Sequence, residues 1–127
     1  MDNQSNSLNW FEIPVTDIDR ATVFYQSIFD ITLEKVNMGN LEMAFFPAEP
    51  GSGKASGGLA KSQMHVPSKE GSIIYLNANP ALDNVLARIE SAGGEVVVPK
   101  TQITEEIGYM AFFIDTEGNK VALHSQA

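Results

Sequence analysis

The hydrophobic pattern near the end of the chain predicts a β-hairpin. Two apolar runs, Tyr109 to Ile114 and Lys120 to His124, flank the polar segment Asp115-Thr-Glu-Gly-Asn119. Gly and Asn in that segment tolerate the positive φ that a tight reversal requires. In the second run Val121 and Leu123 alternate with Lys120, Ala122 and His124. We therefore expect one face of this strand to pack against a core and the other to line a site.

The first half of the chain carries a fainter copy of this hairpin. Met43-Ala-Phe-Phe46 recurs as Met110-Ala-Phe-Phe113, 67 positions later. A four-residue match carries weight only if the elements before each copy also correspond. Here each copy follows a predicted strand, a capped helix and a further strand, so the pattern predicts an α+β fold of two tandem βαβββ modules.

In the first module, alternation predicts a strand from Trp10 to Val15, and Asp17 is the predicted N-cap of a helix that ends near Asp30. Further strands are predicted at Ile31 to Val36, Leu41 to Phe46 and Gly57 to Ala60. The segment from Pro47 to Gly58 is rich in Pro, Gly and Ser and predicts a long loop. This loop either folds over a cavity mouth or is a tolerated surface insertion.

The second module is predicted to begin with a strand from Ser72 to Ala78. Asn79-Pro80 has the sequence of an N-cap and first helical position, and Ala92-Gly-Gly94 terminates that helix. A strand from Glu95 to Val98 and a polar loop from Thr101 to Gly108 then lead to the hairpin. These elements predict a disordered tail at residues 1–7 and one domain at 8–127, with modules at 8–64 and 72–125.

Composition narrows the class of protein. A chain of 127 residues with 43% hydrophobic residues fits a single domain with a real core. The absence of Cys excludes disulfides, a thiolate zinc site and a Cys nucleophile. A net charge of −8 disfavours nucleic acid and anionic membranes as partners, and either attracts a cationic ligand or keeps the protein soluble. No apolar run approaches the roughly 20 residues that span a bilayer, so we expect a soluble, cytoplasmic protein.

Several motifs in order resemble a known superfamily. They are Ile13-Pro-Val-Thr-Asp17 leading into Arg20-Ala-Thr-Val-Phe-Tyr25, Ala92-Gly-Gly94, and Asp115-Thr-Glu-Gly-Asn119 before a final strand. Together they resemble the vicinal oxygen chelate superfamily, which includes glyoxalase I, bleomycin-resistance proteins and extradiol dioxygenases. The resemblance covers Leu8 to Ser125 and implies a curled mixed sheet, a half-barrel around a cavity, with helices on its outer face. It does not define an activity, because the superfamily hosts many functions on one scaffold.

The resemblance also implies where a divalent metal would bind. Superfamily enzymes hold it with His, Glu or Gln from the first, fourth, fifth and eighth strands. Counting from the matching motifs places these positions at Trp10, within Ser56 to Ala60, at Ile73 and at Ala122. Trp, Ile and Ala side chains offer no donor atoms for such an ion. We therefore expect no metal and no other cofactor, and neither glyoxalase I nor dioxygenase activity.

The same counting places four polar or aromatic side chains inward, two positions further along each strand: Glu12, Tyr75, Asn77 and His124. With Trp10, Ile73, Ala122 and the aromatics Phe46 and Phe113 of the repeated motif, they are the predicted ligand-binding residues. Glu12 and His124 are the candidate catalytic pair, since a carboxylate beside an imidazole can move a proton. The structural alternatives are that Glu12 caps a backbone or faces solvent and that His124 frays; His65 is expected at the surface.

Three functions remain open from the sequence. The first is a binding module whose aromatic walls stack on a planar or cationic small molecule. The second is a metal-independent lyase or isomerase that uses Glu12 or His124 as acid and base. The third is that dimerisation buries the open sheet edges and the cavity is vestigial. We favour binding, because it needs only the cavity, and we expect a homodimer.

Overall fold

The structure is a computed structural model that describes all 127 residues and contains two helices and eight strands. In chain order the elements are β1 (Trp10–Pro14), α1 (Ile18–Phe29), β2 (Glu34–Met38), β3 (Leu41–Phe45), β4 (Ser56–Lys61), β5 (Tyr75–Asn77), α2 (Leu82–Ile89), β6 (Glu95–Thr104), β7 (Gly108–Ile114) and β8 (Lys120–Ser125). This order confirms two βαβββ modules and an α+β fold. Neither helix is long and apolar enough to cross a membrane.

The strands form two sheets of four, in the orders β1-β4-β3-β2 and β5-β8-β7-β6. In each module the first strand pairs in parallel with the last, and the remaining pairs are antiparallel. β1 and β5 are the edge strands that end these sheets, and they do not pair with each other. The curled sheet is therefore divided at a gap between β1 and β5, which we call the seam, and the half-barrel is not closed.

The strand register reproduces the internal repeat residue by residue. Gly58 pairs with both Glu12 and Phe45 in the first sheet, and Ala122 pairs with both Tyr75 and Phe112 in the second. Val15 N donates a hydrogen bond to Ala60 O (3.0 Å) in the first module, and Ala78 N donates the equivalent hydrogen bond to His124 O (2.8 Å) in the second. The two copies of Met-Ala-Phe-Phe thus occupy equivalent strands.

Helix α1 forms where its capping residues and apolar spacing predict it. The Asp17 side chain accepts a hydrogen bond from Arg20 N, and Asp30 ends the helix in the left-handed conformation (φ 54°). Ala21, Phe24, Tyr25 and Ile28 recur at helical spacing and are buried. This face packs on the sheets, and burying each large side chain contributes about 1.5–3 kcal/mol.

One core serves both modules. It lies between the helices and the sheets and takes alternate residues from the strands: Ile13, Ala44, Leu59, Leu76, Ala111, Phe113, Val121 and Leu123. The strand residues between these point to the opposite faces of the two sheets, which we call the open faces. Side chains that a ligand can contact therefore lie on the open faces and along the seam.

The predicted start of α2 is wrong. The helix begins at Leu82, and its N-cap is Ala81, which makes no side-chain cap. The amide of Leu82 instead donates to the Ser125 hydroxyl at the end of β8 (3.0 Å). The Asn79 side chain is engaged elsewhere, because its Oδ1 accepts from Gln126 N (2.9 Å). A long-range contact has replaced the local cap.

Strand β6 is longer than the sequence predicts. It runs from Glu95 to Thr104, through Pro99, over much of the segment expected to be a loop. A Pro is tolerated here because β6 is an edge strand, and its pairing with β7 shifts register between Val98 and Thr101. The other strand ends differ by a few residues from prediction; β5, for example, spans only Tyr75–Asn77.

Candidate functional site

Large side chains are exposed on both sides of the seam. Trp10 on β1 is 41% exposed, and Tyr75 on β5 is 51% exposed. Each makes an edge-to-face contact within its own sheet, Trp10 with Phe45 (5.2 Å between ring centroids) and Tyr75 with Phe112 (6.1 Å). Exposed aromatic residues that cluster on one surface mark ligand or partner sites more often than chance.

An open cavity of about 880 Å³, the seam cavity, lies between these two strands. Its walls come from β1, from residues 72–77 and Asn79, and from Pro47, Ala55 and Ser56 around the β3–β4 loop; Phe29, Ile31 and Phe46 lie at its core side. Glu12 is the only charged residue that lines it. An apolar lining with few polar groups is the usual composition of a small-molecule site.

Both carboxylate oxygens of Glu12 have hydrogen-bond partners. His65 Nε2 lies 2.7 Å from Oε1, and the Trp10 indole N–H donates to Oε2 (3.2 Å). On the far side of the imidazole, His65 Nδ1 lies 2.6 Å from the Ser62 hydroxyl. An ionised carboxylate only accepts, so Nε2 carries a proton, and in the neutral ring Nδ1 then accepts from Ser62. The result is a continuous chain of hydrogen bonds through Ser62, His65 and Glu12.

One end of the seam is closed by the β7–β8 turn. Glu117 accepts hydrogen bonds from the Thr16 and Asp17 backbone amides (2.9 and 2.8 Å) and from Arg20 Nε (2.7 Å), and its side chain is completely buried. Burial opposes its ionisation, but these hydrogen bonds outweigh burial and lower the pKa of Glu117 to about 2. Asn119 Nδ2 also donates to Pro14 O (2.6 Å). The turn therefore binds the second module to the end of β1.

A buried hydrogen bond joins the same turn to helix α1. The Tyr25 hydroxyl donates to Asp115 Oδ2 (2.7 Å) inside the core. Burial and the neighbouring negative charge of Asp115 raise the pKa of Tyr25 well above its usual value, so it stays a neutral donor. Tyr25 is thus part of the core, as its place in the helix stripe predicts.

Six predicted site residues lie together around the seam cavity: Trp10, Glu12, Phe46, Ile73, Tyr75 and Asn77. Asn77 Oδ1 accepts from the backbone and side-chain nitrogens of Asn79 (2.9 and 2.8 Å). Alternation on β1 and β5 places every second residue on the open face, and these residues line one side of the cavity. Phe46 lines it from the core side, where it packs with Phe11. Ligand binding by this set stays a prediction.

Three predicted site residues lie elsewhere. Phe113 is fully buried against Phe24 and Tyr25, and its neighbour Phe112 is the aromatic residue that faces Tyr75. The prediction for Phe113 is wrong because Phe113 pairs with Val121 on β8, and both side chains face the core, which leaves Phe112 on the open face. Ala122 is also fully buried, paired between Tyr75 and Phe112.

Glu12 and His124 do not form the expected pair. His124 Nε2 is bonded to Ile107 O (2.6 Å) at the β6–β7 turn, and the Glu12 carboxylate is held by His65. His65 was expected at the surface, yet its side chain is only 21% exposed and contacts a residue 53 positions away. No local sequence pattern predicts the contact between His65 and Glu12. The only signal in the sequence is a single His in the segment between the modules.

The residues at the positions where the resemblance implies a metal do not fit a divalent ion. Trp10, Ile73 and Ala122 have no suitable donors. The β4 residues paired with Trp10 and Glu12 are Ser56 and Gly58, which supply no carboxylate or imidazole. Nowhere in the chain do three or more His, Asp or Glu side chains cluster as a metal site would require. Glu12 and His65 are two donors bonded to each other, which falls short of a coordination shell.

Comparison with known proteins gives the family. The model of the Glyoxalase/Bleomycin resistance protein/Dioxygenase superfamily matches residues 7–123. The chain belongs to this superfamily. It is also 30% identical over 122 residues, 91% of each chain, to a glyoxylase-like domain-containing protein of Didymella fabae.

Several solved structures share the fold of this chain. A glyoxalase I mutant from Zea mays matches 93% of this chain and 46% of its own, with a TM-score of 0.72 and 17% identity. A hypothetical protein from S. aureus matches 98% of this chain and 95% of its own, with a TM-score of 0.66 and 20% identity. A glyoxalase/bleomycin resistance protein from Albidiferax ferrireducens matches 96% of this chain and 100% of its own, with a TM-score of 0.66 and 16% identity. At these identities the likeness concerns the fold alone.

Proposed function

We propose that this glyoxalase-like protein binds a small molecule with a flat apolar part in the seam cavity, without a metal. The observation that carries the proposal is the placement of Trp10 and Tyr75, two exposed aromatic side chains from different modules, on one cavity of about 880 Å³. Aromatic rings bury a large area and lose little conformational entropy on binding. The two rings sequester an aromatic or cationic compound between them.

The charge of the ligand follows from Glu12. This carboxylate is the only charged group lining the cavity, and two N–H donors fix its position. A fixed carboxylate beside aromatic rings favours a cation or a hydrogen-bond donor and opposes an anion. The compound should therefore be neutral or positively charged.

Fluorescence of Trp10 tests this proposal, because Trp10 is the only tryptophan in the chain. The protein is titrated with a panel of matched cationic and neutral aromatic compounds. We expect saturable quenching, and we expect Glu12→Gln to weaken a cation about tenfold or more while sparing its neutral analogue. Lys69→Gln, a charge change on an exposed linker residue, is the control and should alter neither affinity. Absence of saturable quenching across the panel would contradict the proposal.

A second candidate function is a metal-independent isomerase or lyase in which Glu12 removes a proton from a carbon acid. The observation that favours it is the contact between Glu12 and His65, since a carboxylate held by an imidazole is oriented for proton transfer. His124, the other proposed acid or base, is bonded to a backbone carbonyl. Compounds found by the titration are incubated in D₂O, and exchange of an acidic C–H for deuterium is followed by NMR. Exchange that Glu12→Gln abolishes supports the enzyme, and no exchange above the protein-free rate contradicts it.

We further propose that the protein is a homodimer. Both sheets end in unpaired strands, β1 and β2 in the first and β5 and β6 in the second. Unpaired strand edges favour association unless they are covered. Sedimentation equilibrium at tens of micromolar is expected to give about twice the chain mass of 13.8 kDa, and a mass near 13.8 kDa contradicts the dimer.

A further inference from the structure

A second open cavity, of about 910 Å³, lies apart from the seam on the first module, and we call it the linker cavity. The ends of β2, β3 and β4 form one side of it, and the segment Ser62–His65 that follows β4 forms the other. Its surface is mixed: Met38, Leu41 and Met64 are apolar, whereas Lys61 and Glu42 form an ion pair (3.5 Å). No residue lines both this cavity and the seam cavity.

The Ser62–His65–Glu12 chain connects the two cavities. Ser62 and His65 line the linker cavity, whereas Glu12 lines the seam cavity. Seen from the linker cavity, the order is hydroxyl, imidazole, carboxylate, with separations of 2.6 and 2.7 Å. A serine nucleophile requires this order: a hydroxyl at the accessible end, a base beside it and a carboxylate that orients the base from behind.

From this geometry we propose that Ser62 is a nucleophile for small ester-like substrates, with His65 as its base and Glu12 as a positioning residue. The neutral tautomer set by Glu12 leaves the Nδ1 lone pair directed at the Ser62 hydroxyl. When Nδ1 takes the hydroxyl proton, the ring becomes a cation that the Glu12 carboxylate stabilises. The site differs from the seam cavity in its lining residues and in its chemistry.

The segment also offers a donor for the negative charge that develops on the substrate. The backbone N–H of Gln63 has no hydrogen-bond acceptor within the chain, and Gln63 lines the linker cavity next to Ser62. In serine hydrolases of another fold, the amide that follows the nucleophile stabilises the oxyanion. The apolar side chains of Met38, Leu41 and Met64 suit a short acyl or alkyl group.

The reaction is an acyl transfer to water. Ser62 Oγ forms a bond to the ester carbonyl carbon and passes its proton to His65 Nδ1. The carbon–oxygen bond of the ester breaks, and the leaving alkoxide takes that proton and departs as an alcohol. Water then adds to the acyl carbon and gives a proton to His65, and the carboxylic acid leaves as the proton returns to Ser62 Oγ.

Ser68 provides a matched control. The Ser62 hydroxyl accepts from Met64 N (3.1 Å), and the Ser68 hydroxyl accepts from Glu70 N (2.9 Å) in the same type of local turn. Only Ser62 has an imidazole beside it. If the Ser62 hydroxyl merely stabilises its turn, the two residues should behave alike.

The test uses a fluorophosphonate with a short alkyl chain, which releases fluoride when a serine oxygen attacks phosphorus. We expect one adduct per chain, mapped to Ser62 by peptide mass spectrometry, in the wild type and in Ser68→Ala, and none in Ser62→Ala. His65→Gln should slow labelling about 100-fold, which is the low end for loss of a general base. Glu12→Gln should also slow it, and Glu12→Asp should restore part of the rate, an outcome that a purely structural role does not predict.

The wild-type adduct is decisive even if a variant fails to fold. No adduct after prolonged incubation, an adduct mapped to another residue, or undiminished labelling of folded His65→Gln would each overturn the proposal. The result is separate from ligand binding at the seam, because labelling reports Ser62 whereas quenching reports Trp10. Ser62→Ala should accordingly leave quenching by a neutral aromatic compound unchanged.

Discussion

The β7–β8 turn (residues 115–119) and the β3–β4 loop (47–55) occupy equivalent places in the two modules, yet they meet the rest of the chain very differently. The turn is short, and its Asp115, Glu117 and Asn119 side chains bond to β1, α1 and the segment between them. The loop is longer, and one hydrogen bond joins it to another part of the chain, from Asn6 Nδ2 to Gly53 O (2.6 Å).

The seam is therefore closed at one end and open at the other. Glu117 fills the closed end with a buried, hydrogen-bonded charge, and the seam cavity lies at the end that the loop borders. Binding sites commonly lie where fewer interactions fix the structure, on a scaffold that is rigid elsewhere. Glu117, which holds the modules together, therefore lies at one end of the seam, and the residues proposed to bind a ligand lie at the other.

The largest effect is expected from Glu117→Gln. This change keeps the shape of the side chain but removes the charge that Arg20 and two backbone amides bind, so we expect a loss of about 2 kcal/mol in unfolding free energy. The matched change in the loop is Glu49→Gln, because Glu49 is exposed and its side chain has no hydrogen-bond partner. Urea denaturation should show a large loss for the first and a change within about 0.5 kcal/mol for the second. Equal losses would remove the contrast between the two ends.

The same contrast predicts a dependence of stability on pH. The pKa of Glu117 falls from 4.5 to about 2 on folding, so its ionised form stabilises the folded state. That contribution is fully present above about pH 4.5 and is lost as the pH falls towards 2, with an upper limit of about 3 kcal/mol. The difference in stability between wild type and Glu117→Gln should therefore shrink across this range. A difference that stays constant from pH 5 to pH 2.5 contradicts the buried charge.

A smaller effect should distinguish two glycines. Gly118 in the turn and Gly51 in the loop both have positive φ (93° and 79°), and both have open space where a Cβ would lie. Strain from an added Cβ remains only where neighbours fix the backbone, so Gly118→Ala should cost about 1 kcal/mol. Gly51→Ala should cost less than half of this, because the loop can relax. Thermal melting of the two variants compares them, and the reverse order would show that the loop is the more constrained segment.

Much of the fold could be predicted because it depends on local patterns. The alternation in β1 and β8 and the Asp17 cap reflect rules that act within a few residues. The repeated Met-Ala-Phe-Phe is visible when two short segments of the sequence are compared. The start of α2 could not be predicted, because the Leu82 amide donates to the hydroxyl of Ser125, which lies 43 positions later in the chain. The extension of β6 through Pro99 depends on its edge position, which is a property of the sheet and not of the segment.

The candidate site was predictable in part for the same reason. Period-two alternation places Trp10, Glu12, Tyr75 and Asn77 on the open faces, which border the seam cavity. It does not indicate the core-side wall that Phe29 and Ile31 form. The partner of Glu12 was missed, because His65 comes from the segment between the modules and meets β1 only after the chain folds. The sequence predicts Glu117 only as part of a tight turn, because its role at the interface depends on a contact with residues about 100 positions earlier.

The most direct test of the central claim is an amide-nitrogen NMR titration with a compound that quenches Trp10. The single indole N–H of Trp10 gives its own resonance, and the amides of Tyr75 and Asn77 report the opposite wall of the seam cavity. Binding at the open end should shift these three resonances and leave the amides of Glu117 and Asn119 at the closed end unchanged. Shifts confined to the closed end, or a quenching compound that leaves the β5 amides unmoved, would contradict a ligand site between the modules.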